Sequence, residues 1–123
     1  MTVRLFVYGT LAPGREAWAV LEAWTIGAPQ PDAVAGRLYD TDRGYPGATF
    51  GRDPDESTPL VHGAVVTLDP DRAQAALAAL DRYEGREYER IIVRTEAGVE
   101  AATYAWIAPL TGCRLVAGGR WGD

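Results

Sequence analysis

Apolar residues recur along the chain with two periods, one of two residues and one of three to four residues. The period of two is clearest in VRLFVYG at residues 3–9, where Val3, Leu5 and Val7 share one face and two aromatic residues share the other. Because nearly every position is apolar, this segment predicts a strand that is covered on both sides.

Further strands are predicted from short segments that are rich in β-branched and aromatic residues. They are AVAGRLYDT (33–41), GYPGATFG (44–51), LVHGAVVTL (60–68), YERIIVRTE (88–96), EAATYAWI (100–107) and the start of RLVAGGRWGD (114–123). The turn residues Ala97 and Gly98 lie between two of these segments and therefore predict a hairpin.

The helical period appears first in REAWAVLEAW at residues 15–24, where Trp18, Leu21 and Trp24 fall at helical spacing. This pattern predicts a short amphipathic helix. Two prolines follow it, at positions 29 and 31, and we expect them to end the region.

A longer helix is predicted in PDRAQAALAALDRYEG at residues 70–85. Asp69 is expected to be its N-cap and Pro70 to take the first helical position, since both residue types favour helix starts. Gly85 is expected to end it.

The order of these elements predicts an α+β fold, because strands outnumber helices and only the first strand–helix pair suggests a crossover. We expect one domain over residues 1–123. Its sheet should form either a small mixed β-barrel or a strongly curved sheet, flanked by the two main helices.

Composition excludes several classes of function. The chain has 17 acidic and 12 basic residues, and its formal net charge of −5 argues against a nucleic-acid-binding surface. All basic residues are arginine, so neither a Schiff-base lysine nor a P-loop lysine is available. The single residues Cys113 and His62 predict no internal disulfide and no zinc site. No segment has the pattern of a signal peptide or a membrane span, so a cytoplasmic protein with no membrane partner is expected.

The carboxylate of Glu84 is the first candidate for catalysis. Ala73, Leu77, Leu80 and Glu84 follow one another at steps of four, three and four residues, so they share one helical stripe. The large aliphatic residues require that stripe to face the core. Burial and the negative end of the helix dipole should then raise the pKa of Glu84, which suits general acid/base catalysis near neutral pH.

Two other environments of Glu84 are compatible with the sequence. The helix can end one turn early, so that Glu84 turns to solvent or pairs with one of three nearby arginines, Arg82, Arg86 or Arg90. Asp81 lies at the edge of the stripe and is expected to bind backbone groups after the helix. Arg90 is expected to pair with Glu84 or Asp81, and a pair with Glu84 would lower its pKa.

The segment VYGTLAPG at residues 7–14 predicts a strand that runs into a glycine-bearing turn and then a helix. Such a turn presents consecutive backbone N–H groups, which can bind an anion. The segment lacks the residues of a nucleotide-binding loop.

Several motifs occur in one order over nearly the whole chain: VYGTLAPG, GRLYDTDRGYPGA, HGAVVTL, LDRYEGREYER and GGRW. This series resembles the γ-glutamylcyclotransferase-like family, which includes γ-glutamylamine cyclotransferase and the AIG2-like proteins. The resemblance implies a small mixed barrel flanked by helices, a small-molecule γ-glutamyl substrate, and no metal or organic cofactor. A monomer or a homodimer is expected.

The resemblance also assigns roles to residues. It implies that Glu84 is the catalytic acid/base, and that the loop Tyr8, Gly9, Thr10 and Leu11 supplies backbone donors to the substrate. The reaction would cyclise a γ-glutamyl group to 5-oxoproline and release an amine. The identity of that amine stays open, and we expect residues 52–58 and the C-terminal tail to select it.

Aromatic residues are further candidates for the site. Tyr88 is expected to line it, because it closely follows the catalytic glutamate and the family pattern retains a tyrosine there. Tyr45 and Tyr39 are open cases, with packing favoured for Tyr39. Trp106 and Trp121 are assigned to packing.

Two alternative functions are compatible with the sequence. The first is a non-catalytic small-molecule binding protein on the same fold, since a fold alone does not determine function. The second is a different hydrolase that would use Cys113 or Ser57 together with His62. Lone histidine and cysteine residues are more often packed or inert than catalytic.

Overall fold

The computed structural model describes residues 2–51 and 53–122. Eight strands and two helices occur in this part of the chain. In chain order they are β1 (Arg4–Val7), α1 (Trp18–Glu22), β2 (Thr25–Ala35), β3 (Arg37–Asp40), β4 (Pro46–Thr49), β5 (Leu60–Leu68), α2 (Ala73–Glu84), β6 (Tyr88–Arg94), β7 (Glu100–Trp106) and β8 (Arg114–Leu115).

The strands form a five-stranded sheet in the order β2-β5-β1-β7-β6 and a three-stranded sheet in the order β4-β3-β8. The larger sheet is mixed, because β1 runs antiparallel to β5 and parallel to β7. The predicted α+β class with two helices is therefore confirmed. The predicted hairpin is present as well, since β6 and β7 pair antiparallel around the turn at Gly98.

Strand β1 lies at the centre of the larger sheet and is buried on both faces, as its sequence predicts. Leu5 and Val7 belong to a core cluster that also contains the buried leucines of both helices. Phe6 and Tyr8 belong to a second cluster, which contains residues of β3 and β4 such as Leu38. The two clusters use alternate residues of the strand, because successive side chains point to opposite faces.

The larger sheet is strongly curved but does not close into a barrel. Its end strands, β2 and β6, form no ladder with each other in the described residues. Just beyond β6, the N–H of Glu96 donates to the carbonyl of Ala33 in β2 at 2.8 Å. The amide of Ala97 also lies 3.3 Å from the Asp32 carboxylate. Of the two predicted forms, the curved sheet is the correct one.

Helix α1 is shorter than predicted. Residues 15–17 belong to hydrogen-bonded turns instead of the helix, and the N–H of Ala17 donates to the carbonyl of Thr10 at 2.9 Å. Leu21 is fully buried, and Trp18 and Trp24 pack beside it, so the predicted apolar face is present.

The sequence prediction missed the first part of β2. Pro29 and Pro31 were expected to end a region, yet both lie within an eleven-residue strand. The strand is at the edge of its sheet and has an irregular register between Ile26 and Gln30. Proline is tolerated there because an edge strand has one side on which no N–H donor is required.

The predicted strand over residues 33–41 is two strands, because the chain passes from one sheet to the other at Gly36. The N–H of Gly36 donates to the carbonyl of Pro59 at 2.9 Å. A Cβ at this position would lie 2.5 Å from the Thr49 carbonyl oxygen, so the crossing requires glycine.

Helix α2 ends where predicted but begins later. Its last residue is Glu84, and Gly85 follows with a φ of 80°. At the other end, Asp69 caps a preceding turn, because its carboxylate accepts the N–H of Asp71 at 3.0 Å. The helix itself begins at Ala73, and no side chain caps it.

Substitution of Gly63 tests the packing of β5 against β1. A Cβ at Gly63 would lie 2.1 Å from the Val7 carbonyl oxygen, and backbone atoms cannot rotate away. We expect Gly63→Ala to lower the free energy of unfolding by about 1–3 kcal/mol. Gly51→Ala is the matched control, since a Cβ there meets nothing within 4 Å. Equal losses in chemical denaturation of the two variants would contradict the close approach.

Candidate active site

A cavity of about 520 Å³ lies between the end of β1, the start of β4 and the end of α2. Its size is typical of a small-molecule site. The lining residues are mainly loop residues and tyrosines: Phe6, Val7, Tyr8, Gly9, Thr10, Leu11, Glu16, Ala17, Gly44, Tyr45, Pro46, Tyr83, Glu84, Tyr88 and Tyr104.

Glu84 enters this cavity from the last turn of α2. Ala73, Leu77 and Leu80 are buried on one face of the helix, and the helix continues to Glu84 without fraying. The side chain therefore follows the apolar stripe inward, as the spacing predicts, and it is half-buried. Its carboxylate lines the same cavity as Gly9, Thr10 and Leu11.

None of Arg82, Arg86 and Arg90 pairs with Glu84 in the described residues. Arg90 lies 3.5 Å from the Asp81 carboxylate, and Arg43 forms an ion pair with Glu87. Among the described residues, no ion pair or hydrogen bond to the Glu84 carboxylate is present. Burial without a cation disfavours the charged form, and it raises the pKa of Glu84 to about 7.

Asp81 differs from the sequence-based expectation. Its carboxylate does not bind backbone groups after the helix but accepts the hydroxyl of Tyr104 at 2.7 Å. With the nearby Arg90, this contact ties the end of α2 to the β6–β7 hairpin. Asp81 is therefore a structural acid one turn before Glu84, and it is compensated by its own arginine.

The loop after β1 has a set of unused donors. Its carbonyl groups are engaged, because Ala12 donates to Gly9 at 3.0 Å and Ala17 donates to Thr10 at 2.9 Å. In the described part of the chain, the N–H groups of Gly9, Thr10 and Leu11 make no hydrogen bond to a protein acceptor. These groups can bind an anion or a developing oxyanion in the cavity.

The loop does not run directly into a helix, as the sequence suggested. Helix α1 begins at Trp18, well after Leu11, so its dipole adds little at this point. The loop is fixed by packing instead, because a Cβ on Gly9 would lie 2.8 Å from the ring of Pro46.

The hydroxyl groups of Tyr8, Tyr88 and Tyr104 form hydrogen bonds with residues far away in sequence, and these bonds hold the walls of the cavity. The bond from Tyr104 to Asp81 is described above. Tyr8 donates to the carbonyl of Tyr104 at 2.5 Å and accepts the N–H of Ala48 at 3.2 Å. Tyr88 donates to the carbonyl of Pro46 at 2.5 Å. Burial raises the pKa of Tyr8, Tyr88 and Tyr104, so all three hydroxyl groups stay neutral.

Tyr88 and Tyr45 line the cavity, whereas Tyr39 does not. Tyr45 donates to Glu87 at 2.9 Å and packs beside Tyr88 and Trp106. Trp106 is buried and therefore a packing residue, as assigned.

Sequence reasoning missed Tyr104, Tyr83 and Glu16 at this site. Tyr104 sits opposite Arg90 in the β6–β7 hairpin, so the predicted hairpin register contains a signal that would have found it. Glu16 and Tyr83 carry no comparable signal, since each becomes part of the cavity only through the path of the chain.

The residues of the alternative hydrolase are not brought together. Ser57 is exposed and donates to Asp55 at 2.6 Å. Cys113 lies 4.0 Å from the carbonyl of Pro109, and His62 lines a different cavity. None of the three lines the cavity that contains Glu84.

The residues that we expected to select the released amine do not line this cavity either. Residues 53–58 and 114–122 do not line this cavity, and Arg52 of the predicted loop lies outside the described residues.

Over the described ranges, no cluster of three or more metal-binding side chains is present. The described helices are too short to cross a membrane.

Comparison with known sequences and structures gives a consistent result. A sequence model of the family described as "Gamma-glutamyl cyclotransferase, AIG2-like" matches residues 5–123. A search of curated proteins found no significant match.

Solved structures share the fold over nearly the whole chain. The solution structure of ytfP from Escherichia coli is 30% identical, with a TM-score of 0.57 over 98% of this chain and 97% of that chain. A uropathogenic E. coli-specific protein is 22% identical, with a TM-score of 0.79 over 98% of this chain and 93% of its own. The mouse AIG2-like protein is 20% identical, with a TM-score of 0.64 over 88% of this chain and 80% of its own.

Anion binding to the loop can be measured by amide NMR. Because the N–H groups of Gly9, Thr10 and Leu11 have no protein acceptor, we expect their resonances to shift together in a sulfate titration at constant ionic strength. The amides of Ala12 and Ala17 already donate to carbonyl groups and should shift much less. Unchanged loop amides at saturating sulfate would contradict the anion-binding assignment.

Proposed function

The chain belongs to the γ-glutamyl cyclotransferase, AIG2-like family, and we propose that it cyclises a γ-glutamyl group to 5-oxoproline and releases an amine. Membership supports cyclotransferase-type chemistry in general. The observation that supports this reaction most directly is the half-buried Glu84 carboxylate, which shares a cavity with three unused backbone donors.

The reaction is intramolecular. The α-amine of the γ-glutamyl group attacks its own side-chain carbonyl carbon, so a C–N bond forms and a five-membered ring closes. The carbonyl oxygen becomes an oxyanion in the tetrahedral intermediate. The bond to the leaving nitrogen then breaks, and that nitrogen departs as an amine once it has received a proton.

Glu84 is the proposed proton carrier. An α-ammonium group is not a nucleophile until it loses a proton, and the leaving nitrogen is a poor leaving group until it gains one. A carboxyl group with a pKa of about 7 is present in both forms near neutral pH, so it can take the first proton and return it. A carboxylate paired with arginine would remain ionised and would return the proton poorly.

The loop donors are the proposed anion contacts. The N–H groups of Gly9, Thr10 and Leu11 would hold the substrate carboxylate or the oxyanion. Gly9 packs closely against Pro46, and the carbonyl groups of Gly9 and Thr10 accept hydrogen bonds within the loop. These donors are therefore preorganised and need little reorganisation during the reaction. Holding the substrate folded also favours ring closure.

Replacing Glu84 with glutamine tests the proton carrier. Glu84→Gln keeps the size of the side chain but cannot take and return a proton, so we expect turnover of γ-glutamyl amides to fall by about 10²–10⁴-fold. The measurement is release of 5-oxoproline from a panel of γ-glutamyl amines and γ-glutamyl amino acids. Substrate affinity should change little.

Glu89→Gln is the matched control, because Glu89 is an exposed carboxylate on the neighbouring strand β6 and does not line the cavity. It should retain full activity. For the unaltered protein, kcat/KM should rise through a limb near pH 7. Absence of turnover for every γ-glutamyl compound, together with tight binding of one, would favour the non-catalytic binding protein instead.

The raised pKa of Glu84 also predicts how stability depends on pH. Between its usual pKa of 4.5 and its folded value of about 7, the folded protein binds more protons than the unfolded chain, so this group costs stability as pH rises. We expect Glu84→Gln to gain about 1–3 kcal/mol in unfolding free energy between pH 4 and pH 8, relative to the unaltered protein. A lower stability of Glu84→Gln at pH 8 would indicate a structural role for the carboxylate.

A further inference from the structure

A second cavity of about 480 Å³ borders the same loop as the first. Of the described residues, Tyr8 is the one that lines both cavities. The second cavity is lined by Tyr8, Ala12, Pro13, Arg15, Pro29, Pro31, His62, Gly63, Ala64, Arg120 and Trp121. The proposed reaction uses none of the charged groups in this set.

This cavity is lined by basic side chains in a chain of net negative charge. His62 and Arg120 come from β5 and from the C-terminal segment, and no acidic residue is among the described lining residues of the cavity. The chain as a whole has a formal net charge of −5. A concave site lined by one sign of charge concentrates ligands of the opposite sign.

The C-terminal segment is held in place by close backbone contacts. The N–H of His62 donates to the carbonyl of Gly119 at 2.8 Å. A Cβ at Gly119 would lie 1.9 Å from the Leu60 carbonyl oxygen, and a Cβ at Gly122 would lie 2.3 Å from the guanidinium of Arg15. Glycine at both positions lets the segment lie flat against β5 and the loop, which brings Arg120 and Trp121 to the cavity.

This packing brings the imidazole of His62 into the field of the Arg120 charge, which disfavours the protonated imidazole. Desolvation and then the charge of Arg120 lower the pKa of His62, and no ion pair to either residue is present in the described part of the chain. A bound anion would relieve this repulsion and would favour the protonated imidazole.

The apolar lining of the cavity includes aromatic and proline rings. Trp121 is half-buried and packs against the core cluster that contains Tyr8. Pro29 and Pro31 are also lining residues. Aromatic and proline rings offer planar or rigid apolar surfaces to a planar apolar group, and Arg side chains suit a carboxylate or a phosphate.

We propose that this cavity is a binding site for a small organic anion, one that carries a carboxylate or a phosphate on a flat apolar group. The anionic end contacts Arg120 and His62, and the flat part lies against Trp121. The site is separate from the proposed reaction and does not depend on it.

His62 gives a direct test, because it is the one histidine of the chain and its imidazole protons give one NMR titration curve. The probes are benzoate, phenyl phosphate and inorganic phosphate, at constant ionic strength. We expect benzoate or phenyl phosphate to raise the pKa of His62 and to bind at least about tenfold more tightly than inorganic phosphate, because only the first two have a flat group. If benzoate binds more tightly than phenyl phosphate, the site prefers a carboxylate. The reverse order indicates a preference for a phosphate.

Arg120→Gln separates this site from others. Arg120 is exposed, so the variant should fold. In the free variant the pKa of His62 should rise, and the affinity for the better probe should fall about tenfold or more. The control Arg37→Gln removes an exposed arginine outside the cavity, and its affinity should match that of the unaltered protein.

Glu84→Gln provides the second control. Probe binding at the second cavity should not change in this variant, because Glu84 does not line that cavity. A His62 pKa that no probe moves would overturn the proposal. So would an affinity that Arg120→Gln leaves unchanged.

Discussion

The burial of one carboxylate without a cation dominates the electrostatics of the candidate site. Glu84 ends a helix whose apolar stripe faces the core, and the guanidinium groups of Arg90 and Arg43 are engaged with Asp81 and Glu87. Had either arginine faced Glu84, the attraction would have offset the cost of burial and the carboxylate would have stayed ionised at neutral pH. The two ion pairs therefore affect the site mainly because they engage both guanidinium groups with acids other than Glu84.

Much of this arrangement is contained in the sequence. The stripe of Ala73, Leu77 and Leu80 predicts the direction of Glu84, because helix geometry fixes the angle between residues three and four apart. The doubly apolar pattern of β1 predicts a central strand, and Gly85 predicts the helix end. These features are local, so a pattern of a few residues is enough to reveal them.

Features that depend on distant contacts were not predictable in the same way. Whether Arg90 pairs with Glu84 or Asp81 depends on the path of β6, and both acids are within its reach in sequence. The first part of strand β2 was missed because its two prolines are acceptable only at an edge, and strand order is not visible in a local pattern. The cavity wall at Glu16 arises from turns that shorten α1, which its helical spacing did not reveal.

The prolines of β2 have a consequence for how copies of this protein behave together. An edge strand offers unpaired backbone groups to which another chain can add a strand, and this is a common route to aggregation. Pro29 and Pro31 supply no N–H donor, and the register of the strand is irregular between Ile26 and Gln30, which interrupts a ladder. An incoming strand would find an incomplete ladder along this stretch. The residues that made β2 hard to recognise thus also make its edge a poor template for intermolecular β-pairing.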